Sequence, residues 1–453
     1  MNRLMLGTAL MTATLLGACT ETAQERDAAK AKSKAATAAY PSTYEVPDSP
    51  STLIRDALVY DGVGGMIEDG DVLIHDGRIV AVGEDIAEDA DRVIDAAGRV
   101  VTPGIVDVHS HLGNYPSPGI RAHGDGNEAT SPITSEVWAE HGVWPQDPGF
   151  DEALAGGVTT LHILPGSANL FGGRGVTVRN VASRTVQGMK FPDAPYTLKM
   201  ACGENPKRVY GDKGGPGSRM GNMAGYRKNW AKAQDYDPSK GRDLQMETLK
   251  GVLDGDILVQ MHCYRADEMA QILDLADEFG YKVSTFHHAV EAYKIGDLLA
   301  DKDVCAAVWA DWYGFKAEAY DAIRENLPYL HAQGACAMIH SDDPKGVQRL
   351  NQEVAKAWSD GNDAGLDISK ADAVRWMTSN PAKAIGIADQ TGSLEEGKRA
   401  DVVIWSADPF STYSKPETVM IDGAIVYEAD GIKPMSDFRV GQDSLPMTAR
   451  GGQ

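Results

Sequence analysis

The chain has 453 residues, of which 43% are hydrophobic and 24% charged, an ordinary globular balance that excludes a disordered or fibrous protein. Its 43 Lys and Arg against 65 Asp and Glu leave a net charge of −22. So acidic a surface repels phosphate backbones and argues against nucleic acid as a partner. The length exceeds what one hydrophobic core usually supports, so a large domain with a smaller companion is expected.

Residues 1–18 read as a secretory signal, with Arg3 as the positive head and an apolar stretch from Leu4 to Leu16. It ends in Leu16-Gly17-Ala18-Cys19, the form of a bacterial lipobox, which predicts a lipoprotein exported to the cell envelope with its lipid anchor on Cys19. In a Gram-negative organism, Thr20 after that cysteine points to the periplasmic side of the outer membrane. Residues 19–51 are polar and rich in Ala, Lys and Glu, a flexible tether. Cys202, Cys263, Cys305 and Cys336 form no Cys-x-x-Cys pair and lie in apolar runs, so they are expected to be buried free thiols.

Residues 52–102 show short strands and tight turns, with a hairpin predicted at Asp76-Gly77. A similar hairpin is predicted at Asp422-Gly423, within residues 386–453. The two ends together predict a small β-sandwich domain built from both halves of the chain. Between them, residues 103–385 alternate β-type and helical segments, with strands expected at 104–111, 158–164, 195–201, 257–262, 282–288, 304–309 and 336–341. Ala266–Phe279 carries Met269, Ile272, Leu273, Ala276 and Phe279 at helical spacing. The fold class expected is α/β, a (β/α)8 TIM barrel, with an open doubly wound sheet as the rival. No Gly-x-Gly-x-x-Gly follows a first strand, which leaves a dinucleotide site without support. Phe171-Gly-Gly-Arg-Gly175 lacks the Lys-Ser/Thr of a phosphate loop and reads as an active-site loop.

Chemistry concentrates where those strands end. His109 and His111 stand two apart at the close of an apolar strand, so alternation aims both rings at one point. His262 closes another strand, His287 and His288 the next, and Ser341-Asp342-Asp343 the last. Barrel enzymes place their chemistry at these ends, and imidazoles with a carboxylate suit zinc or a similar divalent ion. Lys199 lies inside an apolar strand, where an unpaired ammonium is costly. Tyr264 and Arg265 follow His262 and are candidates for holding a substrate carboxylate, although Arg265 can equally pair with Asp267 or Glu268.

Pro103-Gly-Ile-Val-Asp-Val-His-Ser-His111 resembles the first-strand motif of the amidohydrolase superfamily. Thr378-Ser-Asn-Pro-Ala382 and Gly392-Ser-Leu-Glu-Glu-Gly-Lys-Arg-Ala-Asp-Val-Val403 extend the likeness, from about Leu53 to Tyr427. The nearest look is to the imidazolonepropionase-like and prolidase-like branch. What the resemblance implies is a set of metal ligands: His109, His111, His262, His288 in preference to His287, and Asp342. It also implies a carboxylated Lys199 bridging two ions, with Glu204 as the alternative ligand. Since successive rings on a strand face opposite sides, only one of His287 and His288 is expected to point inward.

The expected activity is hydrolysis of a C–N bond in an amide, cyclic amide or dipeptide of small size, using one or two divalent ions. Asp342 would act as base and then acid, and His288 would stabilise the oxyanion. The rivals are a deaminase of the same fold and a non-catalytic surface binding lipoprotein.

Overall fold

The computed structural model describes residues 40–431; the signal segment, Cys19 and most of the tether lie outside the described residues. Among the described residues, no helix is long and apolar enough to cross a membrane.

Two eight-stranded sheets organise the chain. The first is built from both ends: β1 (Thr52–Tyr60), β2 (Met66–His75), β3 (Arg78–Glu84), β4 (Arg92–Asp95) and β5 (Val100–Pro103) join β14 (Val402–Trp405), β15 (Pro416–Ile421) and β16 (Ala424–Glu428). All eight belong to one hydrogen-bonded sheet, which has a small core of its own around Ile54, Val59, Val72, Ile404 and Met420. Both predicted hairpins are present. Asp76-Gly77 and Asp422-Gly423 turn with positive φ at each residue, the geometry that an Asp-Gly pair favours.

The second sheet forms a nearly closed barrel in the order β13-β12-β11-β10-β9-β8-β7-β6. Its strands are β6 (Ile105–Ser110), β7 (Val158–Ile163), β8 (Phe171–Arg179), β9 (Thr197–Ala201), β10 (Leu258–Cys263), β11 (Val283–His288), β12 (Cys305–Val308) and β13 (Cys336–Ile339). The amphipathic helix expected after β10 spans Ala266–Phe279 and ends at Gly280, whose φ of 75° lets the chain turn into β11.

Two expectations are corrected. The Gly-rich run at 171–175 is no loop: it opens β8, which lies antiparallel to both β7 and β9. Its glycines serve close packing, since a Cβ on Gly173 (φ +118°) would sit 2.5 Å from the carbonyl oxygen of Val137. Nor are the four cysteines free. Cys202–Cys263 and Cys305–Cys336 are disulfides, with Cα separations of 5.2 and 4.4 Å. Cys305 and Cys336 lie opposite each other in register on β12 and β13, and Cys202, the residue after β9, joins Cys263 at the end of β10.

The seam between β6 and β13 is closed by side chains. The Asp107 carboxylate accepts from the Ser341 hydroxyl at 2.5 Å, the Ser341 N–H at 3.1 Å and the His109 N–H at 3.2 Å. The Asp342 N–H in turn donates to the His109 carbonyl at 2.9 Å. This lock sets the first and last strand ends against each other. Burial pushes the Asp107 carboxyl up to about 6, against the pull of these hydrogen bonds.

Candidate active site

At the C-terminal ends of the barrel strands, His109, His111, Lys199, His262, His287, His288, His340 and Asp342 gather into one cluster, of which His111 and Asp342 are half-buried and the others buried. The proton positions on His111 follow from its partners. Its Nδ1 lies 2.8 Å from the Leu164 carbonyl, which only accepts, so Nδ1 carries the proton and Nε2 presents a lone pair. That lone pair faces the Asp342 Oδ1 at 3.1 Å and the His109 Nε2 at 3.3 Å. His109 Nε2 is itself 3.3 Å from Asp342 Oδ1.

Such a gathering of acceptors repels itself unless a cation sits among them, and imidazole nitrogens with a carboxylate are a donor set that divalent ions take. Two triads, His109/His111/Asp342 and His109/His288/His340, each bring their ligand atoms within 4.8 Å of one another. His340, two residues before Asp342 and so expected to point inward, joins the cluster as a further possible donor. The Nδ1 atoms of His262 and His340 are buried with no hydrogen-bond partner, two further lone-pair or N–H positions facing the interior. The residues present fit a divalent cation.

Electrostatics agree. Burial holds His109, His262, His287 and His288 well below the usual imidazole range, and His340 down to about 4, so the rings are neutral. Lys199 is fully buried with its Nζ 3.3 Å from His109 Nε2, and burial brings it down to about 7 despite the attraction of Asp342.

Both His287 and His288 enter the cluster. Strand alternation stops at that point: His288 and Ala289 have φ of 69° and 34°, conformations rare for residues with side chains. His287 packs against His109 at a ring separation of 4.7 Å, and His288 lies 4.5 Å from His262. The expectation that one ring must turn away is corrected by that twist.

Around His288 stands an aromatic shelf. Trp309 and Tyr264 stack on it at 4.6 and 5.2 Å, and Trp312 stacks on Trp309 at 5.3 Å. Arg265 forms a two-pronged pair with Asp267 at 2.8 Å on each arm, the pairing that the sequence left open. The cation over Tyr264 is Lys316, with Nζ 3.8 Å from the ring centre. Glu204 lies 4.0 Å from Lys316 and belongs to neither donor triad. Lys316 escapes a reading of the sequence because it sits in an irregular loop, with neither strand end nor motif to mark it.

Comparison with known proteins follows the same lines. The Amidohydrolase family profile matches residues 319–426. A solved amidohydrolase from Thermotoga maritima MSB8 superposes with a TM-score of 0.77 and 37% identity, covering 83% of this chain and 100% of that one. The amidohydrolase tasK of Hapsidospora irregularis is 31% identical over 447 residues, across 87% of this chain, which spans 45% of that protein's length. An imidazolonepropionase of Mesorhizobium japonicum is 25% identical over 78% of this chain and 91% of its own. The fold is the barrel shared by these amidohydrolases. The chain belongs to the amidohydrolase family, a superfamily that generally binds divalent metals.

Proposed function

We propose that this chain is a metal-dependent amidohydrolase cleaving an amide, cyclic amide or dipeptide bond of a small molecule. The observation that carries the reading is the meeting of His109 Nε2, His111 Nε2 and Asp342 Oδ1 within 3.1–3.3 Å, with the His111 proton engaged elsewhere. His109, His111, His262, His288 and Asp342, with a carboxylated Lys199, would hold one or two divalent ions, zinc being suited to this donor set. When bound, such an ion lowers the pKa of water from 15.7 to about 7 and polarises a carbonyl.

Asp342 takes the proton of the attacking water and returns it to the departing nitrogen. A C–O bond forms, the C–N bond breaks and the amine leaves neutral. His288, 3.8 Å from the Asp342 carboxylate and braced by Trp309, would stabilise the developing oxyanion. Lys199 is suited to carboxylation because its neutral amine can attack CO2, forming an N–C bond and releasing a proton. Tyr264 and Lys316 flank the substrate space, and Arg265 would reach a substrate by releasing Asp267. Export with a lipid on Cys19, and folding of the outer sheet into a sandwich over its core, complete the proposal.

The test is metal content per chain after dialysis without chelator, together with turnover on dipeptides and cyclic amides. About two ions per chain with turnover supports the bridged site, and about one removes Lys199 from the ligand set. No metal after growth with added zinc overturns the reading.

A further inference from the structure

We infer that Gln260 and His287 are positioning residues that fix the tautomer of His109, through a one-way chain of hydrogen bonds starting at the Ala384 carbonyl. The inference rests on the metal-site reading above. Both residues are fully buried, and neither belongs to a donor triad.

The chain is read from its fixed end. Ala384 closes the helix Ser379–Ala384, so its carbonyl lacks a partner within that helix and can only accept. Gln260 Nε2 lies 3.0 Å from this oxygen, which makes it the amide nitrogen and turns Oε1 the other way. Oε1 stands 2.7 Å from His287 Nε2, and an amide oxygen carries no proton, so His287 Nε2–H donates.

His287 Nδ1 then lies 2.9 Å from His109 Nδ1, and one of the two nitrogens must carry the proton between them. If His287 carried it, the ring would be an imidazolium, and no carboxylate pairs with His287 among the described residues. Burying such a charge unpaired is costly. The proton therefore belongs to His109 Nδ1, and His109 Nε2 is a lone pair. That atom faces His111 Nε2, Lys199 Nζ and Asp342 Oδ1, each at 3.3 Å.

The consequence is selective. His111 gets its tautomer locally, from the Leu164 carbonyl, whereas His109 gets its own through two side chains. Without the Gln260 oxygen, His287 loses the partner that forces its proton onto Nε2. His109 can then take the Nε2–H form, which sets an N–H where a ligand lone pair is needed. The helix carrying Thr378-Ser-Asn-Pro-Ala382 thereby acts on the metal site without touching it.

The experiment uses the full purified chain, the Gln260→Met variant, which keeps the volume but has no acceptor oxygen, and Gln260→Glu. A protonated glutamate can donate to the Ala384 carbonyl and accept from His287. Zinc affinity is read by competition with a chromophoric chelator, and the His109 tautomer by 15N NMR of histidine-labelled, metal-free protein. The His109 signals are identified by their loss in His109→Asn.

The expected result is a His109 proton on Nδ1 in the wild type. Gln260→Met should bind zinc about 10–100-fold more weakly and show a mixed tautomer, and Gln260→Glu should stay near wild type. Unchanged zinc affinity and tautomer in folded Gln260→Met overturns the inference. So does a wild-type His109 proton on Nε2, a result that needs no variant to fold. A wild type that binds no zinc but shows the Nδ1 proton would overturn the metal reading and leave the tautomer relay standing.

Discussion

Two buried polar centres in this molecule are built on opposite terms. Where the outer sheet meets the barrel, Arg179 donates to Asp401 through both arms and reaches Asp422 at 3.1 Å, while Arg399 pairs with Asp422 at 2.9 Å. Thr391 donates to Asp401 and Tyr44 to Asp422. Each charge there meets its opposite. At the strand ends, lone pairs of His109, His111 and Asp342 face one another, and Lys199 is buried beside them without a carboxylate in contact among the described residues. The first centre is complete within the chain and belongs to stability. The second is left incomplete by the chain itself, and the proposed metal would complete it, which is how a binding site differs from a buried ion pair.

The strongest way to break this contrast is through Asp342. Asp342→Asn should lower turnover about 10²–10⁴-fold while leaving the unfolding midpoint of the metal-free protein close to wild type. Unimpaired turnover on substrates the wild type cleaves would remove Asp342 from the chemistry. Asp401→Asn should do the reverse. Leaving Arg179 buried beside a neutral partner should cost about 3–5 kcal/mol in urea unfolding, with turnover per folded molecule unchanged.

A third substitution sharpens the comparison by its sign. Lys199→Met removes a buried amine that has no carboxylate partner, so the metal-free protein should gain about 1–3 kcal/mol. The same change should lower metal content per chain. A loss of stability instead would mean that Lys199 is paired as fully as Arg179.

Much of this contrast is legible in the amino-acid sequence, for reasons of local chemistry. Seven barrel strands announce themselves as apolar runs, and the ligand candidates end them, because the barrel puts strand ends together whatever their spacing in the chain. β8 is not legible: its glycines mimic a loop, and only close neighbours explain them, the Val137 carbonyl at Gly173 and the Thr197 and Leu164 side chains at Gly175. The disulfides are hidden because partners 61 and 31 residues apart become neighbours only once strand order is known. Gln260 looks like one polar residue in an apolar strand, and Lys316 like one charge in a loop. Their meaning lies in contacts with Ala384, His287 and Tyr264, which periodicity does not encode.

The smallest predicted effect concerns His162, a buried histidine built like the ion-pair centre although it lies beside the open one. Its Nδ1 donates to the Val108 carbonyl at 3.0 Å, and its Nε2 lies 2.8 Å from the Thr197 hydroxyl. Burial brings its pKa down to about 3, against about 6.5 in an unfolded chain. Between those values the unfolded state binds the extra proton, so stability rises with pH there and is lost as pH falls below 6.5. At pH 5.5 the loss from this residue alone should be about 1.4 kcal/mol relative to pH 8, and His162→Gln should lack it. Zinc decides between the two kinds of histidine. It should suppress the acid sensitivity contributed by the ligands, whose lone pairs it occupies, and leave the His162 share untouched, since both His162 nitrogens already have partners. Urea unfolding at the two pH values, with and without zinc, measures both shares; a His162 share that vanished with zinc would place that ring among the ligands.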